Sequence, residues 1–203
     1  MRPRARSAGV YFFPPAALAI PPMRKPNLSL AFVAACVAFA ALCVAAVPAL
    51  AAPPPPTERI ELTKMTGRWY EVARLPNKVQ SGCQGGTSDW VRSDDGFSVL
   101  QACHKGSLAA PATEWKAKAK VIDPKTNAKL QMTFFGGLVK QEYWVLAHRP
   151  DQGWLILGTP GGRAMWLMSQ RPTLSSGVRA QALARVKQLG YDVARLEFPQ
   201  PKN

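Results

Sequence analysis

Residues 115–121 read WKAKAKV and residues 129–134 read KLQMTF. In the first, Lys116, Lys118 and Lys120 take one side, and Trp115, Ala117, Ala119 and Val121 take the other. In the second, Leu130, Met132 and Phe134 oppose Lys129, Gln131 and Thr133. Period two is the repeat of an extended strand, and here it demands a sheet with one wet face and one dry face. Six more strands are predicted over 68–74, 85–92, 97–104, 141–148, 154–158 and 164–169. The separators are turn chemistry: SDDG at 93–96, DPKTN at 123–127, GG at 136–137, RPDQG at 149–153 and TPGG at 159–162. The fold class is therefore all-β. Eight strands in up-and-down order with short turns predict a closed antiparallel barrel, which leaves no sheet edge exposed. Such a barrel has room inside for side chains or one small ligand.

One helix follows over 175–190, with Thr173 as N-cap and Gly190 as its stop. Val178, Leu183, Val186 and Leu189 give it an apolar stripe for packing outside the barrel. A short last strand is predicted over 192–198.

The N-terminal quarter has another character. From Met23, itself a possible start in place of Met1, Arg24 and Lys25 precede an apolar run from Leu28 to Val47 and then Ala49-Leu50-Ala51. This is the layout of a secretory signal peptide cleaved after Ala51. The domain plan is an N-terminal extension and signal over 1–51, a Pro-rich linker over 52–59 and a folded domain over 60–203. Two alternatives stand beside it. The apolar run is long enough for a retained anchor, and Val33-Ala34-Ala35-Cys36 has the form of a lipoprotein site with Cys36 lipidated.

Residues 1–51 hold five of the 26 Lys/Arg and none of the 12 acids, so the remainder has 21 against 12, a net +9. An exported basic protein seldom meets nucleic acid, which leaves a membrane surface, an acidic ligand or a merely solvated charged surface. Two cysteines remain there, Cys83 and Cys103, nearly equidistant from the SDDG turn. A disulfide across the hairpin is predicted. His104 and His148 lack metal-ligand spacing with them, so neither metal nor cofactor is expected. The chain has no G-x-S-x-G, phosphate loop or H-E-x-x-H.

Gly67-x-Trp69 with Tyr70-Glu71-Val72-Ala73-Arg74, Tyr143-Trp144-Val145-Leu146, Trp166-Leu167-Met168-Ser169, Pro172-Thr173-Leu174 and Leu189-Gly190-Tyr191-Asp192 occur in order over about 60–200. This set resembles the lipocalin family, in particular its bacterial outer-membrane members and apolipoprotein D. The resemblance implies that Trp69 plugs the closed end of the barrel beneath an arginine from the end of the last strand. Here Gln170 takes the arginine's place and Arg171 follows, so one of the two is expected over the ring. It also implies an apolar lumen that binds a fatty acid, lysophospholipid or similar lipid, for storage or transport in the periplasm or at the outer membrane, without catalysis. The expected lining is Ser88, Trp90, Ala117, Ala119, Leu130, Met132, Phe134, Trp144, Leu146, Trp166 and Met168, with Lys105 or Lys140 at the rim. Met165 and Leu167 are expected under the helix. Glu71 and Arg74 read as a structural ion pair. The alternative is an enzyme acting on a lipid or isoprenoid in the same cavity through Glu71, His104 or His148.

Overall fold

A computed structural model describes residues 52–199 apart from 107 and 108. The expected signal segment, the Cys36 site and the two possible starts lie outside the described residues. Eight strands form one closed barrel in sequential order. They are β1 (Gly67–Arg74), β2 (Cys83–Ser93), β3 (Gly96–Lys105), β4 (Ala112–Val121), β5 (Lys129–Phe134), β6 (Val139–Arg149), β7 (Trp154–Gly158) and β8 (Met165–Ser169). Every neighbouring pair is antiparallel, and β1 pairs with β8 to close the ring. No helix among the described residues is long and apolar enough to cross a membrane.

The wall separates two cores. Inside lie Trp69, Trp90, Phe97, Val99, Ala119, Leu130, Met132, Val145 and Leu155, among others. Outside, Ala73, Leu146, Ala147, Ile156, Met165 and Leu167 pack against Ala182 and Val186 of the one α-helix among the described residues, α1 (Ser176–Gln188), and against its C-cap Leu189. The strands between them, such as Trp154–Gly158, are buried on both faces. Two bulges matter for what faces where: one in β1 between Glu71 and Ala73, and one in β6 between Val145 and Ala147. An extra residue shifts the alternation, so side chains beyond the bulge change sides.

One end is sealed. The 3₁₀ turn Leu62–Met65 precedes β1, and Met65 and Trp69 are buried together. The Trp69 Nε1–H donates to the Met65 carbonyl at 2.8 Å. The other end, where β1–β2, β3–β4, β5–β6 and β7–β8 are joined (75–82, 106 with 109–111, 135–138 and 159–164 among the described residues), is the mouth.

Three local expectations change. Helix α1 begins at Ser176 behind Ser175, not Thr173, while Gly190 ends it with φ 91°. The expected last strand is reduced to the 3₁₀ turn Val193–Arg195 and one bridge between Arg74 and Glu197, because β1 is already paired on both edges by β2 and β8. Residues 52–59 are held along the barrel. Pro53 is buried beside Gly162 at the mouth, Glu58 pairs with Arg149 at 3.0 Å, and Arg59 donates to the Pro124 and Lys125 carbonyls at 3.1 and 2.7 Å.

Cys83 and Cys103 form the expected disulfide, their Cα atoms 5.5 Å apart across the β2–β3 pair at the mouth. Their sequence separation is 20, and a closed loop of that size stabilises by about 3 kcal/mol in the chain-entropy model. Replacing both cysteines by serine should lower the urea midpoint of residues 52–203 and raise the m-value, because the unfolded chain without its cross-link exposes more surface.

Candidate functional site: the barrel interior and its mouth

The floor is built around Trp69, 1% exposed, whose partner is not the expected one. Its ring meets the edge of His148, with centroids 6.0 Å apart at 61°. Gln170 and Arg171 are both exposed. The reason lies in the backbone beyond β8: the Gln170 N–H donates to the Gly153 carbonyl at 2.9 Å and the Arg171 N–H to Ser169 Oγ at 3.0 Å. This turns both side chains toward solvent. Among the described residues, the guanidinium or ammonium groups over rings are Arg92 on Phe97, Lys129 on Trp144 and Arg179 on Phe198, and none lies over Trp69.

His148 is 7% exposed, and its Nε2 has no partner among the described residues. Burial pushes its pKa down, helped by Arg149 and opposed by Glu61. His104, by contrast, is tied at the mouth end of β3, where its Nδ1–H donates to the Ala110 carbonyl at 2.7 Å.

Above the floor, one cross-strand row carries Trp69, Ser88, Gln101 and Trp115 into the interior. Trp115 Nε1–H donates to Gln101 Oε1 at 2.6 Å, while Ser88 is 4% exposed and its Oγ has no partner among the described residues. Of the expected lining, Ser88, Trp90, Ala117, Ala119, Leu130, Met132, Phe134, Trp166 and Met168 face inward. Leu130 and Met132 are fully buried and fill the lower half. Higher up, Trp115, Tyr143 and Trp166 face the interior yet stay half-buried. Tyr143 packs against Trp166 with ring centroids 5.2 Å apart and planes tilted by 42°, and burial pushes its phenol up to about 12, so it stays neutral.

Trp144 and Leu146 are corrected: both lie in the outer core with the helix. Their neighbours Tyr143 and Val145 take the inward places. Sequence 143–148 reads YWVLAH, apolar on both parities, because the wall is covered on both sides there; alternation then has no sign to read. Trp115 was left out of the expected lining, although it shares a face with Ala117 and Ala119 and was legible on that ground.

A buried polar network closes one side of the mouth. Arg74, 4% exposed, pairs with Glu71 and with Glu197 and donates to the Cys83 carbonyl at 3.0 Å. Gln80, from the β1–β2 loop, donates from Nε2 to Glu71 Oε2 at 2.6 Å, and its Oε1 accepts from Trp166 Nε1 and Asn77 Nδ2, each at 2.8 Å. Burial pushes the Glu71 carboxyl up against the pull of Arg74 and Gln80. No sequence signal marked Gln80, because loop residues carry no periodicity. A concavity of about 720 Å³ outside the barrel adjoins this network and is lined by Arg74, Lys78, Gln84, Glu197 and Phe198 among others.

A sealed floor, half-buried aromatics above it and a bridged mouth define the class of barrel that encloses its core within one continuous sheet. The comparisons give the family. A model of the lipocalin-like domain matches residues 60–201, and the chain belongs to that family. It is similar to the outer membrane lipoprotein Blc of Vibrio cholerae, with 30% identity over 149 residues, 71% of this chain and 85% of that protein. The Blc protein of Escherichia coli K12 is 26% identical over 158 residues, 75% of this chain and 88% of its own length. Among solved structures, insecticyanin from the tobacco hornworm Manduca sexta superposes with a TM-score of 0.61 at 16% identity, covering 75% of this chain and 87% of insecticyanin. That last likeness concerns the fold alone.

The floor makes a pH prediction. His148 is held neutral in the folded chain, so the unfolded chain binds the proton more readily. Stability should fall as pH drops below about 6.5, the ordinary histidine value, and hold above it. His148→Phe should flatten that part of the slope, read as urea midpoints across the range.

Proposed function

We propose that this domain binds one small amphiphile, a fatty acid or lysophospholipid, in the upper half of its barrel, and stores or carries it in the bacterial envelope. The observation that carries this reading is the set of inward-facing but half-buried aromatics, Trp115, Tyr143 and Trp166, below the mouth. Aromatic surface turned inward and still reachable by solvent is what an acyl chain would cover. Burial is worth about 0.8 kcal/mol per CH₂, and a micromolar complex needs about 8 kcal/mol. Roughly ten methylenes would meet that before association costs. The unpartnered Ser88 hydroxyl offers such a ligand a polar contact in the interior.

The acid–base candidates favour a carrier over an enzyme. Glu71 is engaged by Arg74 and Gln80, His104 by Ala110, and His148 lies at the floor against Trp69. Two relatives are named outer membrane lipoproteins. With the export signal expected over 1–51, this supports a place in the envelope, either released after Ala51 or held through Cys36.

Native mass spectrometry of residues 52–203, purified without added lipid, should show a bound mass in the fatty-acid or lysolipid range. A chain that stays empty after a lipid challenge would sink the proposal. Tyr143→Ala should weaken binding about tenfold, the equivalent of about 1.4 kcal/mol, as read by tryptophan emission. Trp144→Ala, one residue away and outside, should leave affinity within about twofold while lowering stability by about 3 kcal/mol.

A further inference from the structure

The hairpin between β5 and β6 projects. β6 pairs with β7 only from Trp144 onward, so 139–143 rise beyond that side of the wall. That is roughly 16 Å at about 3.3 Å per residue. At its tip Phe135 is 63% exposed, Leu138 88% and Val139 47%. Across the mouth, on the β1–β2 loop, Val79 is 79% exposed.

Phe135 has a second peculiarity. Its φ is +52°, followed by Gly136 at +67° and Gly137 at +110°. A bulky side chain is strained in that left-handed region, and a glycine would adopt it freely. The turn alone therefore gives no reason for a phenyl ring at its outermost position. Residues kept in such conformations cluster where they contact something.

Charge says what that something is. Lys78, Lys105, Lys140 and Arg163 stand in or beside the four mouth loops, all exposed and without a carboxylate partner among the described residues. The sequence of those loops contains no Asp or Glu; beside them, Glu114 lies at the start of β4, and Glu142 in β6 accepts from Trp144 Nε1 at 2.5 Å. Glu71 and Glu197, bound into the rim, are both paired with Arg74. Turns at the closed end differ: Asp94, Asp95, Asp123 and Asp151 lie there among the cations. Exposed apolar tips ringed by unpaired cations match an anionic lipid interface, where side chains enter the acyl boundary and lysines meet phosphates.

We propose that the barrel docks mouth down on an anionic phospholipid bilayer, with Phe135, Leu138, Val139 and Val79 inserted at the interface and Lys78, Lys105, Lys140 and Arg163 on the headgroups. This does not depend on what the lumen holds. It places the mouth against the surface from which an amphiphile would enter or leave.

The test is flotation of residues 52–203, which close both cores described above, with phosphatidylcholine vesicles and with equimolar phosphatidylcholine–phosphatidylglycerol vesicles. Flotation is expected with the second and not the first, and should weaken as salt rises. Phe135→Gly and Leu138→Ser should each lower the partition coefficient about tenfold. Phe135→Gly should do so with an unchanged or higher Tm, since it relieves the turn. Val91→Ser and Ile122→Ser, exposed apolar positions at the closed end, should have no effect. Fatty-acid binding by tryptophan emission should persist in Phe135→Gly, which separates docking from the lumen. Failure to float, flotation indifferent to lipid charge, or equal losses from the closed-end variants would overturn the proposal. So would self-association without vesicles that Phe135→Gly abolishes, which would assign the tip to a second copy of the chain.

Discussion

Pairing of β1 with β8 turns an open sheet into a wall with two sides and no edge, and most of the molecule follows from it. Every inward side chain then shares one enclosed space, and every outward one must meet solvent or α1. Within that constraint the two bulges decide individual fates. Glu71 and Arg74 are three apart, so in an unbroken strand they would face opposite sides. The bulge between Glu71 and Ala73 turns Arg74 to the side of Glu71 and makes their ion pair possible. The bulge in β6 does the same for Val145 and His148, and so supplies the floor with its histidine.

The parts legible in the sequence are those where polarity changes sign across the wall. In β4 and β5 lysines or polar residues alternate with apolar ones, and Trp115, Ala117, Leu130 and Met132 fell on the correct side at once. β8 was read correctly too, with Trp166 inside and Met165 under the helix. Trp144 and Leu146 were assigned to the wrong face because both faces of β6 are covered there. The barrel, the disulfide and the helix were foreseen. The partner of Trp69 was not, since it depends on two hydrogen bonds that turn the chain after Ser169. Gln80 was invisible for a related reason: a loop enters the interior through tertiary contacts that leave no pattern.

The mouth is built unevenly. On the β1 side the loop is fastened by Gln80 to Glu71 and Trp166, and the disulfide ties β2 to β3. On the opposite side the β5–β6 hairpin stands beyond β7 with apolar residues at its tip. The fastened side fixes the position of Trp166. The projecting side carries the surface that differs most from an ordinary wetted loop. The ligand retention and the bilayer docking proposed above would thus fall to different residues of one rim.

The fit of Glu71 against β2 has a further consequence. A Cβ at Gly86 would lie 2.8 Å from Glu71 Oε2, so the carboxylate occupies the space that a side chain at 86 would need. The two positions share a single volume across neighbouring strands. A barrel without the buried acid would leave room for a larger residue at that place. Where the acid is kept, glycine should be kept with it, so these two sites are expected to vary as a pair across the family.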